Sequence, residues 1–193
     1  MSSPLFDSGD EIVAYCDGGS RGNPGPAGFG VYIQDSGGKV LAELSQFLGS
    51  HTNNFAEYSA LLAALEFAIN NGHKRLRVVS DSELMVKQMK GQYRVNSPEL
   101  RPLYEEARGR VPKLDRFQIQ HVLREKNRHA DRLANLAMDR GMGRAPAARA
   151  EPAAPPAPPT QKGAMLRGFV EGGVVHVLGG DLPDGIFVKV IPE

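Results

Sequence analysis

The sequence predicts an α/β fold: a five-stranded mixed sheet, three antiparallel strands then parallel ones, with helices on both faces. Three observations carry this. Up to about residue 51, apolar and polar residues alternate and are broken by glycine-rich turns. The next segment switches to a helical period. From about residue 75, short apolar strands alternate with helical stretches, as parallel strands joined by helical crossovers do.

Each element has its own signal. "EIVAYCD", residues 11–17, reads as a strand buried on both faces, ending at Asp17. "AGFGVYIQD" and "KVLAELSQFLG" flank "SGG", residues 36–38, as a hairpin. In "NNFAEYSALLAALEFAINNG", Leu61, Leu62, Leu65, Ala68 and Ile69 recur at helical spacing. Thr52 or Asn53 can cap that helix, Glu57 falls in its first turn, and Gly72 ends it. "RLRVVSD" is a short strand ending at Asp81. "SELMVKQMKG" and "SPELRPLYEEARGR" are helical, each opening with a serine suited to capping. "FQIQHVL" alternates as the fifth strand, and "RHADRLANLAMDRG" is a final helix, opened by Asp131 and ended by glycine.

Composition bounds the function. The 193 residues carry a formal net charge of +1, which argues against nonspecific coating of nucleic acid while leaving room for a local basic groove. The single cysteine, Cys16, excludes an internal disulfide. No apolar run is long enough to span a membrane, and "MSSPLFDSGDE" lacks a signal-peptide pattern, so the expected location is cytoplasmic. "GRAPAARAEPAAPPAPPTQKG", residues 143–163, reads as an extended Ala/Pro linker. It separates a main domain, residues 1–142, from a small β tail, residues 164–193.

Asp17, Glu57, Asp81 and Asp131 occupy similar places, at strand ends and helix starts. Any one of them is more readily a cap than a ligand. In open α/β sheets, however, sites form beyond the carboxyl ends of parallel strands. If the first and fourth strands are parallel neighbours, all four carboxylates meet there. Carboxylates that close repel one another. A hard cation such as Mg²⁺ resolves the conflict. Two such ions about 3.5–4 Å apart activate a water and stabilise the leaving oxygen of a phosphodiester.

At these residues the chain resembles a family. "YCDGGSRGNPGPAGFGVYI", "HTNNFAEYSALLAALEFA", "VVSDSELMVKQMKG" and "EKNRHADRLANLA" resemble, in order, the signature regions of type 1 ribonuclease H. The resemblance covers about residues 11–140. It implies a ribonuclease H-like sheet and a Mg²⁺-dependent endonuclease, with Mn²⁺ as an alternative metal. The RNA strand of RNA–DNA hybrids would be cut to 3′-hydroxyl and 5′-phosphate ends. Asp17, Glu57, Asp81 and Asp131 would be the catalytic, metal-binding set. Asn23, Asn53 and Asn54 match positions that read the hybrid's minor groove, where the 2′-hydroxyl marks RNA. Thr52 matches a position that holds a DNA-strand phosphate. Gly18, Gly19 and Ser20 would let the RNA backbone approach, since glycine removes side-chain bulk. Helix capping is the competing role for Asn53 and Asn54.

Two departures matter. The chain has no Trp, and "KGQYRVNSPELRP" is too short for the basic protrusion of many members, so it resembles the compact prokaryotic form. Lys87, Lys90, Arg94 and Arg101 are a partial substitute or simply a solvated face. "VLREKNRHAD" also lacks the glycine-containing histidine loop of many members. His121 falls in the strand and His129 on the helix. The resemblance to compact members, which carry an arginine in this loop, implies that Arg124 assists at the scissile phosphate as a fixed cation, with His129 as the alternative. The tail, "MLRGFVEGGVVHVLGGDLPDGIFVKVIPE", reads as about three short strands and resembles an antitoxin-like module, which makes a homodimer one expectation. Docking on its own main domain is the other. Two other functions compete: another nuclease of this fold, or a catalytically weak module binding hybrid or double-stranded RNA. Gly18-Gly19 after Asp17 disfavours the Asp-x-Glu exonucleases, and the four carboxylates disfavour a pure binder.

Overall fold

The computed structural model describes residues 11–144, 167–171 and 174–178. Its contacts divide the chain into two units, Met1–Ala148 and Arg149–Glu193. The first unit holds β1 (Glu11–Ser20), β2 (Gly25–Asp35), β3 (Val40–His51), α1 (Asn53–Asn70), β4 (Arg75–Ser80), α2 (Glu83–Met89), α3 (Arg101–Arg110), β5 (Arg116–His121) and α4 (Arg128–Gly141). The five strands form one sheet in the order β3-β2-β1-β4-β5. β1 pairs antiparallel with β2 and parallel with β4, and β5 extends the parallel half. The predicted mixed sheet is therefore the observed one.

Alternation along β1 and β2 assigns the two faces. Ile12, Ala14 and Cys16, with Phe29, Val31 and Ile33 of β2, join a dry cluster with Tyr58, Leu61, Leu65 and Ala68 of α1. The intervening residues face α4. Gly28 and Gly30 lie there: a Cβ on Gly30 would fall on the α4 backbone at Ala130 and Ala134. Gly18 lies on the other face, where a Cβ would fall on the α1 backbone at Ala56–Glu57. These glycines let both helices press directly onto the strands.

Caps set the helix ends. Thr52 Oγ1 accepts from the Phe55 amide at 3.3 Å, so Thr52 rather than Asn53 caps α1. Gly72, at φ +75°, terminates it, its amide donating to the Ile69 carbonyl. Ser82 caps α2. Three local expectations are corrected. Asp17 does not end β1, because pairing with β2 carries the strand on to Ser20. Glu57 lies beyond the first turn, since α1 starts only at Asn53. Ser97 caps a turn at Leu100 (3.4 Å) rather than α3, whose own cap position is Leu100.

In the second unit, β6 (Arg167–Glu171) and β7 (Val174–Leu178) pair antiparallel. The expected linker, residues 143–163, lies outside the described residues from residue 145 on, as does the expected third tail strand. No helix among the described residues is long and apolar enough to cross a membrane.

Candidate active site

The parallel pairing of β1 with β4 sets Cys16 beside Ser80. One residue later come Asp17, still within β1, and Asp81, just past the end of β4. Asn127, just before α4, donates through Nδ2 to the Cys16 carbonyl and to Asp81 Oδ1, both at 2.9 Å. This brings the start of α4, and Asp131 with it, to the same edge. α1 delivers Glu57 from the opposite face, where Gly18 admits the helix backbone.

The electrostatics show that the carboxylates sense one another. Asp17 is pushed up to about 8, first by burial, then by the charges of Asp81 and Asp131; Arg124 opposes the shift, and Glu57 adds a smaller push. Glu57 is pushed up to about 7, mainly by burial, against hydrogen bonds from Ser82 and Asn53. Both Glu57 oxygens are held: Asn53 Nδ2 donates to Oε1 at 2.8 Å and Ser82 Oγ to Oε2 at 2.5 Å. Asp131 Oδ1 accepts from Arg124 Nη2 at 2.5 Å, and the Arg124 side chain is 74% exposed.

Around the acids lie the other predicted residues. Asn23 Oδ1 accepts from the Asn53 amide at 3.2 Å, which ties the β1–β2 turn to the start of α1. Ser20 Oγ donates to the His51 carbonyl at 2.8 Å, beside Thr52. Gly18 and Gly19 make room for protein, the first for α1 and the second for the Met138 side chain. His129 stacks on Tyr32, ring centroids 4.6 Å apart, and so packs α4 against β2. Two partners of the acids escaped the sequence reading, Ser82 beyond its capping role and Asn127. An asparagine ahead of a helix signals a cap, and nothing local in sequence points to Asp81.

The donor set has the chemistry of a hard-cation site: oxygen ligands only, with two carboxylates destabilised as anions. Among the described residues, no three His, Cys, Asp or Glu side chains already form a metal cage. Three of the four acids are instead turned to partners of their own: Asp131 to Arg124, Asp81 to Asn127, Glu57 to Asn53 and Ser82.

The comparisons place the chain in a family. The family model described as reverse transcriptase-like matches residues 15–137. Ribonuclease HI of Halobacterium salinarum is 44% identical over 133 residues, covering 69% of this chain and 67% of its own. The chain belongs to the type 1 ribonuclease H family. Another relative, a bifunctional protein of Mycobacterium tuberculosis, is 44% identical over 144 residues, 74% of this chain. The match spans only 39% of that protein's length. Among solved ribonucleases H, LC11-RNase H1 from compost, in complex with an RNA/DNA hybrid, is 44% identical with a TM-score of 0.62. The alignment covers 68% of this chain and 99% of that one.

Proposed function

We propose that residues 11–144 form a metal-dependent endonuclease that hydrolyses the RNA strand of RNA–DNA hybrids, leaving 3′-hydroxyl and 5′-phosphate ends. One observation carries the reading: four carboxylates from β1, α1, the end of β4 and α4 interact at one sheet edge, two of them pushed up to about 8 and about 7. A buried acidic cluster of this kind is costly unless it serves a cation. The hybrid-bound relative supports the substrate.

Asp17, Glu57, Asp81 and Asp131 would hold the metal. Mg²⁺ there, as two ions or replaced by Mn²⁺, would activate a water and stabilise the leaving oxygen. The chain's own groups do the rest. Ser82 and Asn53 fix the Glu57 carboxylate by both oxygens, so its orientation is set before substrate arrives. Arg124, exposed and charged, is placed to leave Asp131 for a scissile phosphate. Asn23, Asn53 and Asn54 would read ribose hydroxyls, Thr52 would hold a DNA-strand phosphate, and the backbone at Gly18, Gly19 and Ser20 would face the RNA. With no basic protrusion, affinity for hybrid should be modest and salt-sensitive.

Cleavage of an end-labelled hybrid, with and without Mg²⁺ or Mn²⁺, tests this. Metal-dependent cutting of the RNA strand alone is expected. Binding without cutting under either metal would make the chain a hybrid-binding module. Dimerisation through residues 164–193 is a separate proposal: the full chain should show twice the monomer mass in solution, and the chain truncated after residue 144 should show its own monomer mass. A monomeric full chain removes the idea.

A further inference from the structure

Asn127 links several elements of the acidic edge. Its side chain is 1% exposed. The Nδ2 group has two hydrogens and two acceptors, the Cys16 carbonyl and Asp81 Oδ1. The Cys16 carbonyl belongs to the peptide that leads into Asp17. The Asn127 amide donates to the Arg124 carbonyl at 2.9 Å, and its carbonyl accepts from the Asp131 amide at 3.1 Å. One residue therefore joins β1, the end of β4, the arginine loop and the first turn of α4.

The side chain is specified as a donor. Both of its neighbours are acceptors, so the amide cannot be reversed without setting oxygen against oxygen. Its own Oδ1 is buried with no hydrogen-bond partner. A buried carbonyl is left unsatisfied so that the NH₂ can face inward. Capping does not explain the choice, because the Asn127 side chain makes no capping bond to α4.

We infer that Asn127 is a positioning residue: its carboxamide aims Asp81 toward the metal and holds β1 and α4 at the spacing the site needs. The inference rests on the metal-dependent reading above. Outer groups that orient metal ligands are worth about 10–100-fold in metal affinity or activity when removed. Aspartate at this position keeps the shape, loses both donors and places a fifth acid in the cluster.

The test uses the full chain with N127D and N127A. Mg²⁺ and Mn²⁺ binding is measured by calorimetry without substrate, and kcat and KM on labelled hybrid, with circular dichroism to confirm folding. Metal binding about 10–100-fold weaker and kcat lowered to match, with KM for hybrid within about twofold, is the expected result. A purely structural strut would lower Tm while the folded variants bound metal and turned over normally, and that overturns the inference. If neither variant folds, the wild-type chain answers. The Asn127 side-chain amide resonances should shift on Mg²⁺ addition, while those of Asn71, bonded to the Phe67 carbonyl at the far end of α1, stay fixed. Unmoved Asn127 resonances overturn the inference as well. Absence of metal binding by the wild-type chain would instead remove the metal-dependent reading itself.

Discussion

β1 serves two environments that differ in what they ask of the chain. Under α1 it offers Ile12, Ala14 and Cys16 to a dry aliphatic core. One residue beyond Cys16, Asp17 is pushed up to about 8, first by burial and then by the carboxylates around it. The first environment gains from every buried methyl group. The second gives up stability by burying like charges. Their contrast indicates that the core holds the acidic edge together in the absence of metal, and that the two should respond oppositely to mutation. Asp17→Asn is the sharpest test. It should lower kcat on the order of 10³-fold, about 4 kcal/mol in the transition state. It should also stabilise the metal-free chain. A D17N chain that is both inactive and less stable in EDTA would break the contrast.

Next in size is the seam between the two regions. A methyl group at Gly18 would enter the α1 backbone at Ala56–Glu57. Gly18→Ala should therefore cost about 3 kcal/mol of stability, read from urea melts, and lower activity by displacing Glu57. Gly19→Ala meets only the end of the Met138 side chain, which can move, and should cost far less. Equal losses at the two positions would show that the seam is not where α1 is set.

The glycines also mark what the sequence made legible. The five strands and the helices were readable because period and punctuation are local signals: Gly72 ending α1, Ser82 opening α2, alternation through β2. The acids were readable for the same reason, as carboxylates at changes of element. What stayed hidden was everything decided across the sheet. Asp17 looked like a strand end because two glycines follow it, yet pairing with β2 carries the strand to Ser20. Gly18 and Gly19 suggested an open approach for a ligand, while their missing side chains make room for α1 and Met138. Asn127 reaches Asp81 across 46 residues, and no spacing rule encodes that.

The acidic edge also predicts a pH dependence that the core lacks. Asp17 and Glu57 start from ordinary values of 3.8 and 4.5 and are raised to about 8 and about 7 in the folded chain. The folded state therefore keeps protons that the unfolded chain has released. This contribution is full below about pH 4 and is lost as pH rises through 7 to 8. Thermal melts in EDTA should show Tm falling between pH 5 and pH 9, with a loss of several kcal/mol in stability. D17N should flatten that slope, and Mg²⁺ should restore Tm at high pH, where the ligands are free of protons. A Tm that rises with pH in EDTA would mean these acids are not destabilised by their setting.

The smallest effect separates the two side chains that sequence alone leaves in competition near Asp131, Arg124 and His129. Arg124 is exposed and bonded to that carboxylate, so its loss removes little packing. Arg124→Ala should lower kcat about tenfold, about 1.4 kcal/mol, with Tm nearly unchanged. His129 is committed to the Tyr32 ring on the α4 face of the sheet. His129→Ala should therefore cost about 1 kcal/mol of stability and leave kcat close to the wild-type value. The pair of variants decides the matter because each residue is predicted to register in the measurement where the other is silent. Normal turnover in R124A together with an inactive but folded H129A would transfer the assisting role to the histidine, and His129 would then have to leave Tyr32 to perform it.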